Sequence, residues 1–299
     1  MKYIRVINFL FLVLLGHVSM GQIESMYSLY RFNPQVITPT QAGSTENSEF
    51  ILINRQQWMG MEGSPQTISL TGNIKYGSNK GIGLVFINDQ AGPVKTTTLA
   101  GDFAYHTKLT DTWNLSGGIR LGMSSMSVNF SGLRLISQTD PMFQGDRSTG
   151  MKFNTGWGMK LSHGQDGFFV SLSQPRVLNY DFGPQNGAYK DVAYYYVMSG
   201  TKVKVSNYVT LYPSALARLS ADVPLIVDLN LMANLGGKFD LGASLRANES
   251  YGARLGVQVN PKLYLGYVYE VPTTSFSKMA NSTHELALRL FVLTPKKTK

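Results

Sequence analysis

Apolar and polar residues alternate with a period of two in one segment after another from Phe50 onward. In the segment WNLSGGIRLGM the large apolar residues share one face: Trp113, Leu115, Ile119, Leu121 and Met123. The residues between them are small or polar, and the segments MKFNTGWGMKL and YGARLGVQV repeat the arrangement. Because successive side chains of a β-strand point to opposite faces, whereas a helix repeats every 3.6 residues, this pattern predicts strands.

Fourteen such segments can be counted along the chain, and most of them are about ten residues long. A strand needs about this length to cross the hydrocarbon core of a membrane at a tilt, whereas strands of globular proteins average about five or six residues. The sequence therefore predicts an all-β fold, a 14-stranded antiparallel transmembrane β-barrel of the bacterial outer membrane. The predicted strands are 49–58, 67–76, 81–88, 97–107, 113–126, 150–161, 167–173, 193–204, 209–219, 223–231, 239–247, 251–259, 263–269 and 284–292.

The connections between these strands differ in length in a regular way. Those after strands two, four, six, eight and twelve are short and rich in turn residues, whereas those after strands one, three, five, seven and thirteen are longer. Outer-membrane barrels have short turns on the periplasmic side and longer loops outside. We therefore expect the N- and C-termini of the barrel to be periplasmic.

The first residues are typical of a secretory signal peptide. Lys2 and Arg5 precede an apolar run from Val6 to Val18, and the small residues Ser19 and Gly21 predict cleavage after Gly21. Residues 22–48 have no clean period, so they form either a periplasmic partner-binding segment or a segment packed inside the lumen. The predicted organisation is a signal peptide at 1–21, this N-terminal segment, the barrel at 49–292 and a basic tail at 293–299.

The composition fits a protein whose surface is largely in contact with lipid. Only 15% of the residues are charged, against about 25% in a typical soluble domain. The absence of cysteine is natural for a fold that is closed by backbone hydrogen bonds rather than by disulfides. The net charge of +9 does not indicate a nucleic-acid partner, because the basic residues are spread singly along the strands instead of forming a patch.

The face of each predicted strand opposite the apolar one carries many basic residues. A charge facing the lipid costs about 2–4 kcal/mol near the midplane, so these side chains are expected to point into the lumen. Only Asp102, Asp228 and Asp240 are assigned to the same face. The interior is thus either solvated and self-compensating, or a basic lumen that holds an acidic plug or favours anions. The basic residues are Lys75, Lys108, Arg120, Lys152, Lys160, Lys202, Lys204, Arg218, Arg246, Arg254 and Arg289.

No motif in the chain indicates an enzyme, a metal site or a cofactor. The histidines lack metal-ligand spacing, and there is no H-E-x-x-H motif, no Walker A motif and no G-x-S-x-G elbow. We therefore expect a non-enzymatic protein without a cofactor. A lipid-modifying barrel enzyme stays open as a third hypothesis, and it predicts that substitution of His106 or Asp102 abolishes turnover.

Two stretches near the N-terminus carry a family resemblance. YRFNPQVITPTQAG, from Tyr30 to Gly43, is followed by NRQQWMGMEGSPQTISLTG, from Asn54 to Gly72. In this order the motifs resemble the PorP/SprF family, outer-membrane proteins of the type IX secretion system and gliding machinery, and the similarity continues to HELALRL at the end of the last strand. The residues that carry it are Asn33, Pro34, Ala42, Gly43, Arg55, Gln57, Trp58, Gly60, Pro65 and Thr67.

The resemblance implies a non-enzymatic barrel that docks or anchors partner proteins. The implied partners are secreted adhesin-type substrates and periplasmic components of the type IX machinery, and the barrel contacts outer-membrane lipid. The alternative is a general solute channel or small-molecule transporter. For the motif at the end of the first strand, we expect Trp58 to be an interfacial anchor and Arg55 and Gln57 to hydrogen-bond the adjacent loop, which Pro65 makes rigid. Direct contact with a partner is the alternative role.

Overall fold

The structure is a computed structural model that describes residues 28–130, 146–164, 167–180, 192–221, 223–273 and 281–292. Fourteen antiparallel strands form a closed barrel, which confirms the predicted fold class. Two of the strands are extended by short segments: β6 pairs with β5 ahead of β7, and β10 follows β9 and pairs with β11. The segments are β1 Ser48–Gln56, β2 Gln66–Tyr76, β3 Lys80–Ala91, β4 Val94–Lys108, β5 Trp113–Val128, β6 Arg147–Ser148, β7 Lys152–His163, β8 Phe169–Gln174, β9 Tyr195–Gly200, β10 Val203–Lys204, β11 Val209–Leu219, β12 Ile226–Leu235, β13 Phe239–Arg246, β14 Ser250–Asn260, β15 Leu263–Pro272 and β16 Thr283–Val292.

The first and last strands pair with each other and close the ring. The register of β1 and β16 runs without interruption from Ser48 opposite Val292 to Gln56 opposite His284. Each remaining barrel strand pairs with its neighbour in sequence, including β9 with β11. In the lipid interior an unpaired backbone group costs several kcal/mol, so closure removes the sheet edges that lipid would not tolerate.

The structure differs from the prediction at the hairpin between β3 and β4. The predicted strands end at 88 and begin at 97, but pairing continues to Ala91 opposite Val94. Asn88 donates a side-chain hydrogen bond to Thr97 across the pair, at 2.8 Å. Polar residues on both faces here end the apolar alternation, although they do not end the backbone pairing. The connection is therefore the tight turn 92–93 instead of a long loop.

The two ends of the barrel still carry different connections. One end, called the turn end, carries 77–79, 109–112, 236–238 and 261–262, together with the start of β1 and the end of β16. The other end, called the loop end, carries the longest connections, which join β5 to β7, β8 to β9 and β15 to β16. The turn 92–93 and the short connection 247–249 also lie at the loop end, so the sorting by length holds for the long loops only.

The outer and inner faces of the wall differ in polarity as the alternation predicts. On β5, Ile119, Leu121 and Met123 face outward, whereas Ser116 and Arg120 face inward and are buried. Among the described residues, no helix is long and apolar enough to span a membrane.

Residues 28–47, called the lumenal segment, precede β1, and residues 28–43 of this segment lie inside the barrel. The segment forms three short 3₁₀ helices, Ser28–Arg31, Pro34–Val36 and Pro39–Gln41. The second and the third begin with a proline, whose fixed φ is favourable at a helix start. Tyr30, Val36 and Ile37 belong to a buried apolar cluster with wall residues such as Leu216 and Val268. The core of the protein therefore lies between this segment and the wall. The predicted signal peptide 1–21, residues 22–27 and the tail 293–299 lie outside the described residues.

The substitution Leu121→Arg is expected to destabilise the barrel strongly, because Leu121 faces outward in the middle of β5. A charge at the lipid-facing midplane costs about 2–4 kcal/mol, whereas near the interface the cost falls to about 0–1 kcal/mol. The matched control is Leu225→Arg, since Leu225 is also exposed but lies in the connection before β12. Urea unfolding in lipid vesicles measures both free energies of unfolding. Equal losses at the two positions would contradict the assignment of the lipid face.

Candidate functional site

The centre of the lumen is held by an ion pair that also binds the lumenal segment. On adjacent strands, Arg120 and Asp102 lie directly opposite each other, and Nε of the arginine is 2.6 Å from Oδ1 of the aspartate. The same guanidinium donates from Nη2 to the carbonyl of Gln35 at 2.5 Å and from Nη1 to the carbonyl of Val36 at 3.1 Å. One buried charge pair thus satisfies two backbone carbonyls of the segment, which have no sheet partner.

Side chains of the segment bond back to the wall on both sides of this pair. Gln35 donates from Nε2 to the carbonyl of Gly72 at 3.0 Å and lies 3.3 Å from Oδ2 of Asp102. Thr71 donates to Oδ1 of the motif residue Asn33 at 3.1 Å. From β8, Ser173 donates to the carbonyl of Ile37 at 2.8 Å. Both flanks of the segment are therefore fixed by hydrogen bonds to different strands.

Glycines on the inner face of the wall make room for the segment. A Cβ atom added at Gly118 would lie 2.8 Å from the carbonyl carbon of Pro39, and one at Gly158 would lie 2.6 Å from Oγ1 of Thr38. A Cβ atom added at Gly83 would likewise lie 2.1 Å from Nε2 of Gln35. Because a real Cβ atom essentially never approaches a non-bonded atom this closely, another residue at Gly118 would displace the backbone of the segment, and one at Gly83 or Gly158 would push aside the side chain that it meets.

The motif residues Ala42 and Gly43 lie where the segment leaves the lumen at the turn end. The carbonyl of Ala42 is 2.8 Å from Nε2 of His106, whose Nδ1 is 2.8 Å from Oγ of Ser116. Gly43 has a φ of +67° and donates its N–H to Oδ1 of Asn73 at 2.5 Å. His106 and Asp102, the residues of the enzyme hypothesis, therefore both contact the lumenal segment.

Arg55 holds the other end of the segment, near the loop end. Its Nη1 atom is 2.9 Å from Oε2 of Glu270 and 2.5 Å from Oε1 of Glu285, and all three residues are buried. Ser28 donates its N–H to Oε1 of Glu285 at 2.8 Å and its hydroxyl to Glu270. The structure therefore differs from the expectation that Arg55 bonds the adjacent loop. Odd-numbered residues of β1 face the lumen, as the burial of Ile53 and Arg55 shows.

The other motif residues of this stretch shape the loop between β1 and β2. Gln57 donates its N–H to the carbonyl of Pro65 at 2.9 Å. Trp58 has a φ of +50° and donates its N–H to Oγ1 of Thr283, at 3.3 Å. Gly60, with a φ of +91°, lies against the side chain of Asn281, and the buried Thr67 donates to Asp89. The family motif is thus divided between the lumenal segment, which contains Asn33 and Pro34 at the start of its second 3₁₀ helix, and the loop end.

The predicted basic residues lie in three environments. Arg120, Arg218, Arg246 and Arg254 are buried in the lumen, whereas Arg289 is partly buried, with its guanidinium 3.8 Å from the ring centroid of Phe32. Lys160 is also partly buried, and Lys75 pairs with Glu46 at 2.6 Å. The remaining predicted basic residues are exposed and lie near the two ends of the barrel: Lys108, Lys152, Lys202 and Lys204.

The lumen contains more acidic groups than the sequence analysis assigned to it. Glu49, Glu270 and Glu285 are buried inward-facing residues in addition to the three aspartates. Glu49 pairs with Arg289 at 3.6 Å, and Arg246 pairs with Asp228 at 3.2 Å. Glu270 lies one residue beyond the predicted strand 263–269, and Glu49 and Glu285 stand at strand starts, where no alternation precedes them. The centre of the lumen is therefore a compensated ionic network.

Tyr30 lies against this network from the lumenal segment. Its ring centroid is 6.0 Å from the guanidinium carbon of Arg254, and Nη2 of this arginine is 3.9 Å from Oδ1 of Asp228. Burial raises the pKa of the Tyr30 phenol above its usual value. In the described part of the chain, no group of three or more histidine, aspartate or glutamate residues is arranged to hold a metal ion.

Comparisons with known proteins agree with the fold and with the motif resemblance. The family model for "Type IX secretion system membrane protein PorP/SprF" matches residues 19–290. No curated protein matches the chain. Solved structures with a similar fold include the CymD monoaromatic hydrocarbon channel, with a TM-score of 0.50 at 9% identity over 92% of this chain and 95% of that one. The Ralstonia pickettii toluene transporter TbuX has a TM-score of 0.52 at 10% identity over 86% of this chain and 92% of that one. At such low identity these two likenesses show the fold alone.

Replacing Arg120 with Met is expected to loosen the lumenal segment, because the change removes two donors and leaves Asp102 buried without its ion pair. A single cysteine at Val36, in a chain that has no other cysteine, reports the loosening through its labelling by a water-soluble maleimide. The rate should rise by at least about tenfold, since hydrogen bonds to charged groups contribute about 1.5–3 kcal/mol each.

The control for this experiment is Lys152→Met, which removes a positive charge from an exposed position of the wall. Its labelling rate should stay within about twofold of the parent, because surface substitutions change stability little. A rate in the Arg120→Met protein equal to that of the control would refute the role of Arg120.

Proposed function

Because the chain belongs to the PorP/SprF family of type IX secretion system membrane proteins, we propose that it docks or anchors partner proteins of this machinery at the outer membrane. The proposed partners are secreted adhesin-type substrates and periplasmic components, and gliding motility is one process that such anchoring would serve. The family and the barrel fold are consistent with a non-enzymatic component of secretion, and they support an outer-membrane location.

The filled lumen is the observation that carries the docking proposal. The lumenal segment is bonded to β2, β4, β5, β8, β15 and β16, so the wall supports it from several sides. A barrel whose interior is occupied by its own chain has its two ends and its loops left for contact with other molecules. The occupied lumen therefore favours a scaffold that binds proteins over a pore that conducts proteins or solutes.

The motif residues have a structural role in this proposal. Asn33, Pro34, Ala42 and Gly43 position the lumenal segment, whereas Gln57, Trp58, Gly60, Pro65 and Thr67 shape the loop between β1 and β2. Arg55 connects the two groups through its ion pairs with Glu270 and Glu285. We propose that the turn end faces the periplasm, because short turns lie on that side in bacterial barrels, and that the loop end faces outward.

A general solute channel is the alternative function, and conductance of the purified barrel in planar bilayers separates the two. The parent protein should be closed. Gly118→Leu should open it, because the new side chain needs the space of Pro39 and Thr40. The matched control is Gly117→Leu: an added Cβ at this neighbouring glycine meets nothing within 4 Å, and the barrel should stay closed.

The docking proposal also predicts what is recovered from intact outer membranes. An affinity-tagged parent protein, solubilised in mild detergent, should bring down type IX machinery components or secreted substrates, which mass spectrometry identifies. A large open conductance of the parent barrel together with an empty pull-down would reject docking and support the channel.

A further inference from the structure

An arc of cationic side chains lines the mouth of the lumen at the turn end. Lys108, Lys160 and Lys204 occupy inward positions of the wall, because their cross-strand partners Asn114, Ser116 and Thr210 belong to the lumen-facing rows of β5 and β11. The lumenal segment adds Arg31, and Lys202 precedes Lys204 at the same end. The strands that carry these residues lie on one side of the barrel, in the continuous run from β4 to β11.

In the part of the chain that the structure describes, Lys108, Lys160 and Lys204 lack the acidic partners that cations elsewhere in the lumen have. Arg55, Arg120 and Arg246 each have a buried carboxylate partner, and Lys75 at the turn end pairs with Glu46. Across the described ranges, by contrast, neither Lys108, Lys160 nor Lys204 forms an ion pair with a carboxylate of this chain. Among the described residues, the charges of these three lysines are therefore not compensated as those in the centre of the barrel are.

Aromatic rings support two of the cationic groups. The ammonium of Lys160 lies 4.9 Å from the ring centroid of Phe169, and the guanidinium of Arg31 lies 5.4 Å from that of Tyr212. Tyr212 is two residues from Thr210, the cross-strand partner of Lys204. The ring of Phe169 limits the motion of the Lys160 ammonium without neutralising it, so this charge stays available to an anion on the other side.

Like charges gathered in a recess with low-dielectric walls focus the electrostatic potential and attract opposite charge. Phospholipid headgroups are poor candidates for the anion, because Lys108, Lys160 and Lys204 face the lumen and not the lipid. An extended polypeptide, however, reaches into a mouth of this kind and presents several carboxylates to successive strands.

We propose that the turn-end mouth binds an acidic, extended segment of a partner protein, with Lys108, Lys160 and Lys204 contacting its carboxylates. This inference rests on the proposed docking function and specifies the chemistry of the partner. Phe169 and Tyr212 give apolar surface beside the charges, so a segment in which aspartate or glutamate alternates with apolar residues fits best.

Binding of a fluorescent deca-glutamate peptide to the full mature barrel tests the proposal, with the barrel in nanodiscs of zwitterionic lipid. The triple variant Lys108→Gln, Lys160→Gln and Lys204→Gln should lose about tenfold or more in affinity, and the affinity of the parent should fall as salt is added. The matched control is the triple variant Lys80→Gln, Lys238→Gln and Lys262→Gln, which removes three charges from the same end of the barrel. Lys80 faces outward, and Lys238 and Lys262 lie in turns. It should change the affinity by less than about twofold.

Three outcomes of the peptide experiment overturn the inference: no binding of deca-glutamate, equal losses in the two triple variants, or equal binding of deca-lysine. Pull-down of partners with the mouth variant then separates this inference from the docking function. If partners are still captured although deca-glutamate binding is lost, docking stands and the mouth is not its site. If capture and deca-glutamate binding are lost together while the control keeps both, the inference is supported.

Discussion

Pairing between β1 and β16 is the constraint on which the rest of the structure depends. A sheet in lipid cannot leave a row of N–H and C=O groups unpaired, and the ladder from Ser48 to Gln56 removes the last open edge. Closure fixes the faces of all strands at once: alternate side chains must meet lipid, and the others must share a narrow interior. The apolar outer face and the polar inner face are two consequences of this one requirement.

The interior created by closure explains the lumenal segment. Buried charged groups need hydrogen-bond partners, and the wall alone does not supply all of them, since Arg120 also bonds two carbonyls of the segment and Arg55 also contacts Ser28. The segment in turn lacks a sheet of its own, so its carbonyls depend on wall donors such as Ser173. Wall and segment therefore complete each other, and inner-face glycines at 83, 118 and 158 give the backbone its space. This filling of the lumen by the chain itself is what supports the proposal that the barrel docks partners.

The number of strands, the lipid face and the closed fold could be predicted from the sequence because they follow from a local period of two. The lumenal position of residues 28–43 could not, since short 3₁₀ helices such as Pro34–Val36 have no period, and their place is set by contacts with distant strands. The ion pairs of Arg55 were missed for the same reason: Glu270 and Glu285 are more than 200 residues away in sequence. Motif resemblance marked Arg55 and Asn33 as important without indicating what they contact.

Disulfide formation between cysteines at Thr38 and Gly158 tests most directly whether the lumenal segment fills the barrel in the outer membrane. An added Cβ at Gly158 would lie 2.6 Å from Oγ1 of Thr38, close enough for a disulfide, and the chain has no cysteine to compete. Oxidation of intact membranes should cross-link this pair but not the pair of Thr38→Cys with Gly117→Cys, since Gly117 lies on the outer face of β5. Absence of the first cross-link, with both cysteines reactive to a water-soluble maleimide, would contradict the account.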